Sequence, residues 1–182
     1  MKIDFHPPLQ LSTDRLVLRK PRLGDAAQIF DRYAGDDEVV KFLEWRVHRA
    51  ESETLQFLQT CLSEWHAKTS FPYVIEMNGE ASGPIGMIDA RPQGHRASFG
   101  YVLARPYWGC GYVVEALTAL VDWFLNLPGI WRASAFCDVD NHASARVMEK
   151  AGMTFEGILC RYATHPNISS EPRDCRIFAR VL

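Results

Sequence analysis

Residues 14–20 alternate with a period of two, which predicts a strand with one face in a core. Asp25 to Tyr33 reads as a short helix, with Gly24 or Asp25 near its cap. Between Glu51 and Lys68 the spacing becomes helical: Leu55, Leu58, Leu62 and Trp65 recur at i, i+3, i+7 and i+10, a stripe expected to face the core. Three strand candidates follow at 72–77, 84–90 and 97–104, with Asn78-Gly79 as a hairpin signal between the first two. Val114, Leu117, Val121, Phe124 and Leu125 then form the apolar face of another helix, stopped by Pro128-Gly129. The chain continues as strand 131–138, helix 142–151, strand 153–162 and a last strand near 174–181. Early helices, a central meander and a β-α-β-α-β-β finish make an α+β layout around a mixed sheet. No repeat, low-complexity tract or linker divides it, and 182 residues suit a single domain, 1–182.

Composition narrows the classes of function. Hydrophobic residues make up 47% of the chain, ordinary material for a core. A net charge of −2 gives no support to non-specific nucleic-acid binding, so no nucleic-acid partner is expected. No apolar run approaches a membrane span and the N-terminus lacks a signal-peptide pattern, so no membrane partner is expected. The five cysteines, at 61, 110, 137, 160 and 175, are odd in number and include no Cys-x-x-Cys pair. They read as reduced thiols of a cytoplasmic protein that holds no metal.

The most informative stretch runs from Arg105 to Leu117. The strand candidate ending near Leu103 enters the turn Trp108-Gly109-Cys110-Gly111-Tyr112, and the turn enters an amphipathic helix. Two glycines let backbone approach a ligand closely, and a helix start offers unpaired N–H groups to an anion. That is the chemistry of a pyrophosphate cradle. A P-loop is excluded because Tyr112 and Val113, not Lys and Ser/Thr, follow Gly111; a dinucleotide fingerprint would need glycine at Val114. By itself the turn also fits a tight strand-to-helix connection that binds nothing.

A second motif shifts that balance. Asn141-His142-Ala143-Ser144 opens a helix that ends in Glu149-Lys150-Ala151-Gly152-Met153. Together the two segments resemble the GNAT acetyltransferases, in particular the ribosomal-protein N-terminal acetyltransferases of the RimJ/RimL type. In that branch a Trp-Gly-x-Gly-Tyr-x-x-Glu-Ala turn precedes one helix, and an Asn-x-x-Ser helix ends in Glu-Lys-x-Gly-Phe. The opening Thr13-Asp14-Arg15-Leu16-Val17-Leu18-Arg19, then Asp25, and Phe155-Glu156-Gly157 near the end are similar to it as well. The resemblance covers nearly the whole chain.

The resemblance implies a GNAT-like (acyl-CoA N-acyltransferase) fold. Its central sheet is mixed and mostly antiparallel, flanked by helices, with the parallel fourth and fifth strands splayed apart; here these are 98–104 and 131–137. It implies acetyl-CoA as cosubstrate. The pantetheine arm would lie along backbone near Val102 and Leu103, and the pyrophosphate on the N–H groups of Trp108, Gly109, Cys110, Gly111, Tyr112 and Val113. Here the loop departs from the broader family's Gln/Arg-x-x-Gly-x-Gly/Ala: Trp108 takes the basic or amide position and Val113 that of the last small residue. Asn141 reads as an N-cap, as a ligand of the pantetheine arm, or as both through different atoms. Ser144 is either an ordinary helical hydroxyl or the acid for the departing thiolate, since the Tyr that many members carry on this helix is Met148 here. Glu115 suggests a structural bond.

On the acceptor side, a Glu commonly precedes the fourth strand's Ile-Gly-Tyr in the branch; this chain has Ser98 before Phe99-Gly100-Tyr101. The remaining base candidates are Asp89, His95 and Glu76, each of which also fits a solvated strand end. Trp45, Phe71, Tyr73, Tyr107 and Tyr162 are either a pocket wall or core. The expected partners are acetyl-CoA and a primary amine, a protein N-terminus or a small amine, for a monomer or a homodimer. Two other classes stay open on the residues alone. One is a non-catalytic acyl-CoA sensor, favoured by the missing Glu and Tyr; the other is an α+β binding domain whose glycine turn holds nothing.

Overall fold

The computed structural model describes residues 5–79 and 82–182. Its strands are β1 (Gln10–Ser12), β2 (Leu16–Arg19), β3 (Phe71–Met77), β4 (Gly86–Gln93), β5 (Arg96–Leu103), β6 (Arg132–Asp138), β7 (Thr154–Ala163) and β8 (Arg173–Val181). They form one sheet in the order β1-β2-β3-β4-β5-β6-β8-β7. Every neighbouring pair is antiparallel except β5 with β6. The mixed, mostly antiparallel sheet expected from the sequence is therefore present, with one strand more than the alternation revealed. β1 has three residues and no buried one, too little for a period to register. The expected fourth and fifth strands are β5 and β6. The Asn78-Gly79 signal marks a turn, with Gly79 at φ +76°, but the link from Met77 to Gly86 is longer than a two-residue hairpin.

The helices are α1 (Ala26–Ile29), α2 (Asp37–Val40), α3 (Glu51–Ala67), α4 (Tyr112–Leu125) and α5 (His142–Lys150). The segment expected as one helix over 25–33 is instead a 3-10 turn (Leu23–Asp25), α1, and a wider π turn (Phe30–Ala34). The buried stripe of α3 is Thr54, Leu58, Cys61 and Trp65, rotated from the expected one; Leu55 is exposed. A polar residue joins that face because its hydroxyl has a partner: Thr54 Oγ1 lies 2.8 Å from His48 Nδ1. On α4, Val113 is buried where Val114 was expected, so the face begins immediately after the glycine turn.

Helices cover both faces of the sheet. One core cluster joins α4 and α5 to it through Phe99, Leu117, Phe124 and Met148. The other packs Ile29, Tyr33 and Leu58 against Val74 and Met87. Met87 and Ile88, adjacent on β4, fall in different clusters, as the alternation of a strand requires.

The opening motif has a structural explanation. Arg19 at the end of β2 grips Asp25 with both terminal nitrogens, at 2.9 and 2.7 Å, and Glu76 of β3 at 2.7 Å. Asp25 also accepts the Arg22 N–H at 2.8 Å. The Arg19 and Asp25 side chains are each 9% exposed, so the cluster ties the start of α1 to β2 and β3 in a poorly solvated place. Removing Asp25 leaves the Arg19 guanidinium in that place with Glu76 as its one carboxylate. Asp25→Ala should cost about 3–5 kcal/mol in urea unfolding. Arg49→Ala, which breaks the pair with Asp37 where both side chains are 66% exposed, should cost less than about 1 kcal/mol.

Candidate active site

β5 and β6 pair at four positions, from Arg96 with Arg132 to Phe99 with Ala135. Beyond that point β5 stays with β4 through Leu103, and β6 stays with β8 through Asp138, so the two strands part. Ala104 N–H donates to Ile85 O at 2.8 Å, which sets the parity of the β4–β5 ladder. Alternate residues of an antiparallel pair exchange both bonds with their partner, so Val102 is committed to Met87 and Gly100 to Asp89. The N–H groups of Tyr101 and Leu103 face the opening instead. Val102, expected to offer backbone to the cosubstrate, thus has its backbone spent within the sheet. The Leu103 carbonyl is capped by the Trp108 indole N–H at 2.6 Å.

The opening ends at the glycine turn. Gly109 and Gly111 have φ of +77° and +81°, which favours residues without a Cβ. Trp108 N–H is donated to Arg105 O at 3.1 Å, so Trp108 lends the turn its fold and not a donor, contrary to the expectation. From Gly109 to Val114 no N–H is donated to a loop or neighbouring strand among the described residues. Tyr112, Val113 and Val114 also lack acceptors within α4, whose first turn they form. The Val113 side chain is buried, which leaves its N–H clear of its own bulk. Cys110 is exposed. Glu115 points away from the turn's donors: it accepts from Thr13 Oγ1 at 2.5 Å, from Arg15 N–H at 2.9 Å and from Arg15 Nε at 2.6 Å. Burial pushes its pKa up, but those hydrogen bonds prevail and hold it below the usual range.

Across the opening stands the start of α5. Asn141 Oδ1 accepts the Ser144 N–H at 3.1 Å, an N-cap that leaves the amide nitrogen for other use. Ser144 Oγ lies 2.7 Å from the hydroxyl of Tyr101, which also donates to Ser144 O at 3.1 Å. Met148 is fully buried in the core, so α5 brings no phenol to this place. β5 does. Burial raises the Tyr101 pKa well above its ordinary value, and the phenol stays protonated. The sequence marks Tyr101 only as part of the Phe99-Gly100-Tyr101 segment; the signal for its side chain is that it shares a strand face with Phe99.

Asp89 is the expected base that lies beside the opening. It pairs with Gly100, one residue past the last β5–β6 pair. Its Oδ1 would lie 2.7 Å from a Cβ at position 100, so only glycine leaves the carboxylate its room. The side chain is 14% exposed, and Arg91 Nε approaches Oδ2 to 2.6 Å, yet off the line of a hydrogen bond, so Oδ2 is buried without one. Burial pushes the Asp89 pKa up to about 6. His95 is not brought to the site: it sits in the β4–β5 turn, five residues from Gly100, or about 16 Å of strand. Glu76 is held by Arg19.

Of the aromatic residues, Phe71 and Tyr73 are core, packed edge-on against Trp65. Trp45 instead lines a cleft of about 820 Å³ with His48, Phe57 and Asn167. Asn167, between β7 and β8, fixes that wall by donating to Val40 O and Trp45 O, both at 2.8 Å, and accepting Val47 N–H at 3.1 Å. Among the described residues no group of three His, Cys, Asp or Glu could hold a metal, and no helix is long and apolar enough to cross a membrane.

Residues 15–154 match the acetyltransferase (GNAT) domain family. The chain is 28% identical over 173 residues to the uncharacterized N-acetyltransferase YoaA of Bacillus subtilis (strain 168), covering 94% of this chain and 96% of YoaA. It is 28% identical over 159 residues to the [ribosomal protein uS5]-alanine N-acetyltransferase of Escherichia coli (strain K12), covering 83% and 81%. The fold matches that of the microcin C7 self-immunity acetyltransferase MccE, solved with acetyl-CoA and AMP: TM-score 0.82, 22% identity, 93% of this chain and 94% of that one.

The buried Asp89 carboxylate has a consequence for stability. Its folded pKa lies about two units above the unfolded value, so stability falls as pH rises from about 4 to 6 and stays reduced above that. Asp89→Asn should therefore stabilise the protein at pH 8 by about 1–3 kcal/mol, with the gain vanishing below about pH 4. Urea unfolding at the two pH values checks both halves.

Proposed function

This chain belongs to the acetyltransferase (GNAT) domain family, and we propose that it moves acetyl from acetyl-CoA to an α-amine. The acceptor is a protein or peptide N-terminus, or a small amine of similarly low pKa, as in the RimJ/RimL-like branch. One observation carries the reading: the opening between β5 and β6 runs into the Gly109–Gly111 turn, with Asp89 on one side and Tyr101–Ser144 on the other. The open Leu103 N–H suits a pantetheine arm laid along β5 as an added strand, and the Tyr101 N–H suits the thioester at its end. The Asn141 side-chain nitrogen is available to the same arm. The N–H groups of Gly109 to Val113 suit a diphosphate. Acetyl-CoA supplies a thioester, whose carbonyl carbon is the electrophile.

The chain's residues divide the work. Tyr101 N–H is aimed where negative charge develops on the carbonyl oxygen. Asp89, ionised above about pH 6, takes the proton that the attacking amine sheds. Ser144 Oγ gives a proton to the departing thiolate and takes one from the Tyr101 hydroxyl, 2.7 Å away, which turns from the Ser144 carbonyl to donate it and regains its own proton from solvent as product leaves. If the pair works as a unit, Ser144→Ala and Tyr101→Phe should each lower kcat by about 10–100-fold with little change in acetyl-CoA affinity, and the double variant should be no worse than the poorer single one. Additive losses would separate the two residues.

The α-amine follows from proton affinities. At pH 7 about one α-amine in ten is neutral, against about one lysine ε-amine in 2,500, a gap of about 3.4 kcal/mol. A carboxylate of pKa about 6 is a weak base, and the branch's Glu before the Phe-Gly-Tyr segment is Ser98 here. Such a site is better matched to the amine that is already partly neutral. The uS5 enzyme of E. coli, which acetylates an alanine, is a relative consistent with this reading. Two matched peptides test it, one with a free N-terminus and blocked lysine, the other reversed. The first should be acetylated preferentially at pH 7, with a rate that climbs from about pH 6 toward the amine's own pKa near 8. Preference for the lysine peptide would overturn the assignment.

A further inference from the structure

Arg15, in the turn between β1 and β2, is ninety-six positions from Gly111 in sequence yet lies against it: a Cβ at Gly111 would be 3.5 Å from one guanidinium nitrogen. Three contacts fix the guanidinium. Nε donates to Glu115 at 2.6 Å, Nη1 donates to the Cys110 carbonyl at 3.1 Å, and the group stacks 4.7 Å over the Tyr112 ring. Its backbone is anchored as well. Arg15 N–H donates to Glu115 at 2.9 Å, and Arg15 O accepts Asn78 N–H at 2.7 Å. The side chain is thus a strut from the sheet to one particular peptide unit of the glycine turn.

That unit is the peptide joining Cys110 to Gly111. A trans peptide is planar, with its carbonyl and N–H pointing opposite ways. A contact that draws the Cys110 carbonyl toward Arg15 therefore aims the Gly111 N–H away from it. Glycines at 109 and 111 make the turn easy to fold and also easy to rotate, since a residue without Cβ populates both signs of φ. Without an external hold, this peptide could flip and present an oxygen where an anion needs a donor.

We propose that Arg15 is a positioning residue for the diphosphate of acetyl-CoA: it holds the Cys110 carbonyl back so that the Gly111 N–H faces the phosphates. The inference rests on the acetyl-CoA reading above. Arg15 touches the far side of the peptide and need not contact the ligand. What matters is the fork, since Nε must hold Glu115 while Nη1 reaches the carbonyl. A lysine can pair with Glu115 but, as a single point of charge, cannot span both.

Calorimetry of the full chain with two probes tests this. CoA carries the diphosphate; S-acetylpantetheine shares the arm and thioester but lacks it. Arg15→Ala and Arg15→Lys should both weaken CoA binding about tenfold or more, the scale of one hydrogen bond to a charged group. Both should bind S-acetylpantetheine as the wild type does. Arg15→Lys keeps the pair with Glu115, so it guards against a variant that simply fails to fold. Wild-type affinity for CoA in Arg15→Lys would overturn the proposal in favour of charge alone. Equal loss for both probes would overturn it in favour of general support of the fold. If the wild type itself bound no CoA, the acetyl-CoA reading would fail first and take this inference with it.

Discussion

The parallel ladder between β5 and β6 ends at Phe99 and Ala135 because each strand continues with a different neighbour: β5 exchanges hydrogen bonds with β4 as far as Leu103, and β6 with β8 as far as Asp138. Parting leaves backbone donors and acceptors on the inner edge of β5 in need of partners, since an unpaired buried backbone group costs free energy comparable to a lost hydrogen bond. The protein supplies one cap itself, the Trp108 indole on the Leu103 carbonyl. The rest of the edge is open to something shaped like a strand. The glycine turn, the N-terminus of α4 and the start of α5 are arranged around that gap, so the site is a property of sheet topology before it is a property of any side chain.

Ion pairs in this fold do different work according to what surrounds them. Arg19 with Asp25 and Glu76 is nearly out of water and ties local elements to the sheet. Arg15 with Glu115 is half exposed on the arginine side, so its worth as a salt bridge is small, but it fixes the orientation of the turn. Asp89 is the opposite case. Its carboxylate is poorly solvated, and the neighbouring Arg91, 57% exposed, does not restore what burial removes. A carboxylate that weakens the fold at neutral pH while standing at the opening fits the base of the proposed reaction.

Much of this was legible in the chain, because periods of two and of 3.6 carried the long elements and the two motifs carried the loop and α5. What escaped has physical causes. β1 is too short to show a period. The stripe of α3 is shifted because Thr54, which is polar, is buried with a partner, and the small thiol Cys61 is buried in line with it. Trp108 and Val102 were expected among the donors, but the Trp108 N–H is taken by a local turn with Arg105 and the Val102 N–H by the hydrogen-bond parity of the β4–β5 ladder, which side-chain alternation does not reveal. His95 and Asp89 looked alike as sequence, both near the sheet, and only the register of β4 with β5 separates them. The strut from Arg15 to Cys110 joins segments whose contact no local pattern reveals.

The two titrating groups beside the opening are shifted the same way by the same cause. Burial raises both Asp89 and Tyr101, the first to about 6 and the second beyond its ordinary value. For a carboxylate that acts as base, a raised pKa means a stronger base that is still ionised at neutral pH. For the phenol, it means a resting form that keeps its proton at neutral pH. Between about pH 6 and 10, then, Asp89 is ionised and Tyr101 is protonated, the forms that the proposed reaction requires of them. Within that span, on the proposed mechanism, the titration left to shape the rate is the acceptor's own. On the proposed function, a site built this way has no need to tune the amine, and amines already close to neutral are the ones that suit it.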